Sequence, residues 1–182
     1  MRTALTFLLL LLPLYTRAQA QNDSPPEHYP YKEWLVLGVG PGTPYDAYFG
    51  ASYNFGKRHF YQVAFNASAE LALFGGLPAY VNAASVSLGK RAAMKYVVAA
   101  AFAGPAFVWG RHRVDTDRHF KLFYTAGVNL NGQLYLRPLV DVGTVAGIPL
   151  GGIGFGIDLH SNLNPVRSTA GFRLSLYLGT AH

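Results

Sequence analysis

Cysteine is missing from this sequence altogether. No disulfide can staple the fold, no thiol can act as nucleophile or metal ligand, and no lipidated cysteine can follow a leader. Charge is scarce as well. Only 13% of residues are Asp, Glu, Lys or Arg, where roughly 25% is usual for a soluble domain. Long apolar runs are lacking beyond the first twenty residues. A membrane helix needs about 20 apolar residues, and the nearest candidate, 96–110, is interrupted by Gly104 and Pro105. The six histidines show no i, i+2 or i, i+4 pairing, so neither a metal nor a metal-dependent cofactor is expected.

What is present is apolar. The chain is 51% hydrophobic and 14% aromatic, with 20 glycines. A chain too apolar for water and without membrane helices matches a transmembrane β-barrel, which satisfies its backbone between strands. The start, "MRTALTFLLLLLPLYTRAQA", has a basic Arg2, a short apolar run and a small-x-small step at Ala18–Ala20. It reads as a secretory signal peptide over 1–20. Without Arg2 and Arg17 the formal charge falls from +6 to +4, which gives no reason to expect nucleic acid as a partner. The polar, Pro-rich segment 21–33 reads as a flexible lead, and 34–182 as the barrel.

Period-two alternation dominates from there. In 45–55, Tyr45, Ala47, Phe49, Ala51, Tyr53 and Phe55 oppose Asp46, Tyr48, Gly50, Ser52 and Asn54. The same pattern runs through 61–73, 120–130, 153–159 and 172–178. With Trp34–Gly40, a weakly alternating 79–88 and a doubly apolar 96–109, the total is eight antiparallel up-and-down strands. In 96–109 the small Ala99, Ala101 and Ala103 are expected to look inward. Asn131-Gly132 is a hairpin signal, yet parity continues through it to Leu134 and Leu136. One long strand with a bulge is therefore favoured over a turn. Gly56-Lys57-Arg58 and Gly89-Lys90-Arg91 are read as the exits of strands two and four. There Gly permits the turn, and the cations mark the step from lipid to water.

In this pattern the chain resembles small eight-stranded bacterial outer-membrane β-barrels. The alternating last strand "GFRLSLYLG" carries the resemblance most specifically. "GIGFGIDLHSNLNP" is similar to barrels of the Bacteroidota to which no activity is attached. The resemblance implies a place in the outer membrane, with the N-terminus in the periplasm. It implies outer-membrane lipid, glycolipid and the insertion machinery as partners, and a monomer.

Few residues suggest chemistry. "GGIGFG" at 151–156 is followed by more strand rather than by the helix a dinucleotide loop requires, so its glycines are read as a column facing the lumen. His160 and Ser161 are neighbours on one strand and point to opposite faces, so no hydrolytic pair is expected. They are placed at a loop rim, and no enzyme is expected. "GRHRVDTDRHFK" at 110–121 is the most charged stretch. It is read as a solvated exterior loop paired internally through Asp115 and Asp117, with contact to anionic glycolipid as the alternative. The polar lumen set is Asp46, Gln62, Asn66, Glu70, Lys121, Thr125, Asn129, Asp158, Arg173 and Ser175. Of these, Glu70, Lys121, Asp158 and Arg173 are expected to form one charged network that plugs the barrel. A narrow channel or small-ligand barrel and a lipid-modifying enzyme are the alternative functions. Trp34, Tyr45, Tyr53, Phe55, Tyr61, Phe74, Tyr80, Tyr96 and Trp109 are expected to form two interfacial girdles.

Overall fold

A computed structural model describes residues 32–45, 47–70, 78–94, 96–113, 120–136, 140–141, 144–145, 148–149 and 152–179, all within the unit Tyr31–His182. The expected signal peptide and most of the lead lie outside the described residues, as do Asp46, Leu71, Phe74, Asp115 and Asp117.

Eight long strands make the wall: β1 (Lys32–Gly40), β2 (Ala47–Gly56), β3 (Phe60–Ala69), β4 (Tyr80–Ala93), β5 (Val97–Arg113), β6 (Phe120–Leu136), β7 (Gly152–Leu163) and β8 (Thr169–Gly179). Each pairs antiparallel with the next, and β8 returns to β1, with Trp34 opposite Gly179 and Val39 opposite Leu174. The sheet therefore closes, leaves no edge among these strands, and forms an eight-stranded antiparallel β-barrel. No helix among the described residues is long and apolar enough to cross a membrane. Short pieces decorate the wall. Gly42–Thr43 pairs with β8, Val140–Asp141 pairs with β7, and Thr144–Val145 pairs with Ile148–Pro149. Lys32, where β1 starts, and Gly179, where β8 stops, mark what is called the terminal end, and the opposite end is called the loop end.

Alternation sorts the wall into two faces. Val63, Phe65, Leu134 and Leu174 are exposed on the outside, while their neighbours in sequence are buried inside. From Val97 to Trp109 the outward face runs about 40 Å along β5 at roughly 3.3 Å per residue, or about 30 Å of height at a tilt near 40°. That covers the apolar layer of a bilayer.

Several expectations need correction. β1 begins at Lys32, inside the segment assigned to the lead, because Lys32 and Glu33 pair with Gly56 and Phe55. β6 is a single strand with no bulge. Its register against β5 is unbroken from Val97–Leu136 to Arg113–Phe120, and on the other side Gly132 faces Leu159. Ladders on both sides hold Asn131-Gly132 extended, which overrides the turn signal. Ala99, Ala101 and Ala103 face outward, because Val98, Ala100 and Phe102 fill the lumen instead. A segment apolar on both faces carries no alternation to choose between them.

The two Gly-Lys-Arg copies also part company. The first is a turn: Gly56 ends β2 at φ +153, and a Cβ there would strike His59 O. The second lies within β4. Gly89, Lys90 and Arg91 pair with Phe102, Ala101 and Ala100, and the hairpin closes beyond them at Met94 N–Val97 O, 2.8 Å. Arg91 turns inward, where its guanidinium lies 5.7 Å from the Trp34 ring and donates to Tyr135 Oη at 3.4 Å. An anchored arginine gives the chain no reason to turn there.

Candidate functional site

The lumen is stacked in layers. At the terminal end it is apolar: Trp34, Val36, Phe60, Val98, Phe102, Tyr135 and Tyr177 pack as one cluster, with the two tyrosine rings stacked at 3.9 Å. Gly154 and Gly156 of β7 face Tyr177 and Tyr135 across the sheet, so the glycine column gives room to bulky neighbours. Trp34 was expected in a lipid-facing girdle. It is instead buried here, because its indole N–H finds an acceptor inside, Gln133 Oε1 at 3.1 Å. Tyr45 is likewise buried, in a second apolar cluster at the loop end with Val81, Val108 and Phe123. On the outside, Tyr53, Phe55 and Tyr61 stack in a row near the terminal end, while Phe65, Trp109, Phe107 and Tyr124 form a row nearer the loop end.

Between the two apolar clusters lies the polar belt. Gln62 Nε2 donates to Asn54 Oδ1 at 2.8 Å and to Asn131 Oδ1 at 2.9 Å, and Gln133 Nε2 donates to Asn131 Oδ1 at 3.0 Å. Asn131 in turn donates to Asp158, and Asp158 accepts from Arg173 Nη2. Arg173 Nη1 reaches across to Asn66 Oδ1 at 2.8 Å, and its guanidinium lies 5.3 Å from the Tyr48 ring. A single chain of hydrogen bonds thus ties β2, β3, β6, β7 and β8 together through the lumen. Gly50 makes the crossing possible, since a Cβ on it would fall onto the Arg173 guanidinium. Of the amides Asn131 and Gln133, which join the charged pair to the rest, Asn131 is marked from sequence only as half of a turn signal and Gln133 is passed over. Their signal was available: two polar residues on the inward parity of a strand whose other face is apolar.

The four charges expected in one network separate. Asp158 and Arg173 meet in the lumen. Glu70 lies just past the end of β3 and pairs with Arg113 Nη2 at 3.3 Å, while its carboxylate also accepts from Ala79 N at 3.2 Å. Lys121 has the inward parity but is exposed at the loop end, opposite His112. Strand staggering puts both residues beyond the closed part of the interior, where water competes for them. Gly110 to Arg113, assigned to a loop, continue β5. His160 also needs correction: it is buried in the lumen with its ring 5.0 Å from Tyr48, and only Ser161 looks outward.

Part of the belt lacks partners among the described residues. Asn66 Nδ2, Ser68 Oγ, Ser85 Oγ, Asn129 Oδ1, Asn162 Nδ2 and both His160 nitrogens are buried without a hydrogen bond. They lie on the loop-end side of the amide chain. Among the described residues no cluster of His, Asp or Glu could hold a metal ion.

No family model matches the chain, and no curated protein matches it in sequence. Solved structures do match in fold. The N-terminal β-barrel domain of Pseudomonas aeruginosa OprF is similar over 82% of this chain and 96% of that one, with a TM-score of 0.52 at 10% identity. Ail, the attachment invasion locus protein of Yersinia pestis, gives 0.49 at 10% identity over 82% and 97%. Neisserial surface protein A gives 0.48 at 9% identity over 82% and 94%. The fold is that of the eight-stranded outer-membrane β-barrels.

Proposed function

We propose that the protein resides in the bacterial outer membrane with its termini in the periplasm. There it serves a structural or surface-interaction role, as a monomer with a plugged lumen and no catalytic activity. The observation that carries this reading is the filled interior: an apolar cluster at each end and a hydrogen-bonded belt across the middle. An eight-stranded barrel is only wide enough for side chains to fill it. A surface role is supported by loop-end cations such as Arg113, Lys121 and Arg167. Purified protein in planar bilayers is expected to show no unitary conductance, and a stable conductance in the wild type overturns the plug. Fractionation is expected to recover the chain only with detergent. Release in a detergent-free periplasmic extract overturns the membrane location.

A second reading, a small-ligand barrel, is favoured by the unpartnered buried groups around His160 and Asn162. Buried polar atoms need partners, and water or a small polar solute would supply them. Saturable binding of such a solute, lost in Asn162→Leu, supports this reading over a purely structural interior.

A further inference from the structure

The repeated Gly-Lys-Arg steps converge in space. Phe60 pairs with Gly89, so Lys90 stands beside the turn 57–59. Lys57, Arg58, His59 and Lys90 are all exposed, and among the described residues none of them enters either ion pair. Lys90 has the outward parity of Leu88, so its ammonium emerges from the apolar wall. An open cleft of about 420 Å³ lies along the turn itself, lined by Phe55, Gly56, Lys57, Arg58, His59 and Tyr61. Directly on the membrane side of these cations runs the stacked row Tyr53, Phe55 and Tyr61, with ring centroids 5.6 and 5.7 Å apart.

This is an amphipathic site with its two halves in order. Aromatic rings sit where acyl chains meet headgroups, and the positive charges lie just beyond them. Flexible cations at that level attract anionic headgroups, and they can reach past the rings to do so. We propose that this rim binds the phosphate headgroup of an anionic phospholipid in the leaflet at the terminal end. The phosphate lies between Lys57, Arg58 and Lys90, and the glycerol and upper acyl chains lie against Phe55 and Tyr61. The proposal rests on the reading of the barrel as membrane-spanning. It separates the turn cations from Arg111 and Arg113 at the loop end. At the loop end Arg113 is matched by Glu70, and Arg111 is occupied by Pro78 O at 2.6 Å and by the Phe120 ring at 4.6 Å. Among the described residues the turn cations at the terminal end enter neither ion pair.

The full chain in neutral detergent micelles is titrated with phosphatidylglycerol and, separately, with phosphatidylcholine, and bound lipid is counted by native mass spectrometry. Phosphatidylglycerol is expected to bind about tenfold tighter. Each of Lys57→Gln, Arg58→Gln and Lys90→Gln is expected to weaken it by up to about fivefold, and the triple variant to abolish the preference. Arg113→Gln at the opposite end is expected to leave it unchanged. A preference that survives the triple variant, or that Arg113→Gln reduces equally, overturns the site. Displacement of the lipid by a few millimolar inorganic phosphate overturns the commitment to a lipid and leaves a free-anion site. Heat-dependent gel mobility checks that each variant is a folded barrel. Wild-type flotation with phosphatidylcholine vesicles tests the spanning reading separately. If the wild type does not float, that reading and the lipid site fall together. If it floats without any headgroup preference, only the site falls.

Discussion

Arg173 and Asp158 meet inside the lumen with 2% and 0% of their side-chain surface exposed, whereas Arg113 and Glu70 meet at the loop end with 52% and 31% exposed. The chemistry of the two pairs is the same and their solvents differ. In the lumen neither ion has water to fall back on, so each is held by several bonds. Arg173 also bonds Asn66 and Asp158 also bonds Asn131. At the rim the pair itself is one contact between exposed groups, and water can complete the shell of each partner. Position in the barrel therefore decides how much a charge matters, because burial makes a missing partner costly and exposure makes it cheap.

The sharpest way to break the comparison is to strand one buried charge. Arg173→Ala leaves Asp158 with only Asn131 and is expected to cost about 3–5 kcal/mol. The double variant Arg173→Leu with Asp158→Asn removes both charges and is expected to be more stable than Arg173→Ala. Urea unfolding in phosphocholine micelles measures both. If the double variant is the less stable, Asp158 does not depend on Arg173 and the plug loses its central element.

The next step places a charge where no partner exists at all. Phe65 and Asn66 are neighbours in β3, 40% and 3% exposed respectively, and they face outward and into the lumen. Phe65→Arg is expected to cost about 2–4 kcal/mol near midplane, while Phe65→Leu stays below about 1.5 kcal/mol. The same urea titration separates them, and equal stability of the two variants contradicts the assigned outward face.

These contrasts also show what was legible in the sequence. Period two placed Arg173, Asp158, Asn66 and Gln62 inside and Phe65, Phe155 and Leu174 outside, because residue parity decides face and needs no knowledge of neighbours. Height was not legible. Glu70 and Lys121 carry the inward parity, but the stagger between strands, which depends on pairing register, sets them at the rim. Function of a repeated motif was not legible either. Gly-Lys-Arg is a turn at 56–58 and a strand at 89–91, since Arg91 finds Trp34 and Tyr135, whereas among the described residues Arg58 meets no such anchor. Trp34 shows the same limit. A tryptophan near a strand end suits a membrane interface until an acceptor inside, here Gln133, draws its N–H away from it.

The smallest effect is expected at the rim, and it sharpens the comparison most cleanly. A double-mutant cycle with Glu70→Gln and Arg113→Gln is expected to give a coupling of only about 0.2–1 kcal/mol, because both groups stay hydrated when parted. Raising the ionic strength toward 1 M shortens the screening length to about 3 Å and is expected to erase it. The coupling of Arg173 with Asp158 should survive the same salt, since ions do not enter a filled lumen. Glu70 has a second task that the cycle must separate, for its carboxylate also accepts from Ala79 N. Gln at 70 keeps a carbonyl oxygen for that bond, whereas Glu70→Ala loses it. Glu70→Ala is therefore expected to cost more than Glu70→Gln, by about 0.5–1.5 kcal/mol for the hydrogen bond alone. If Glu70→Gln proves as damaging as Arg173→Ala, the rim pair is desolvated. The contrast between the two ends of the barrel then has to be redrawn.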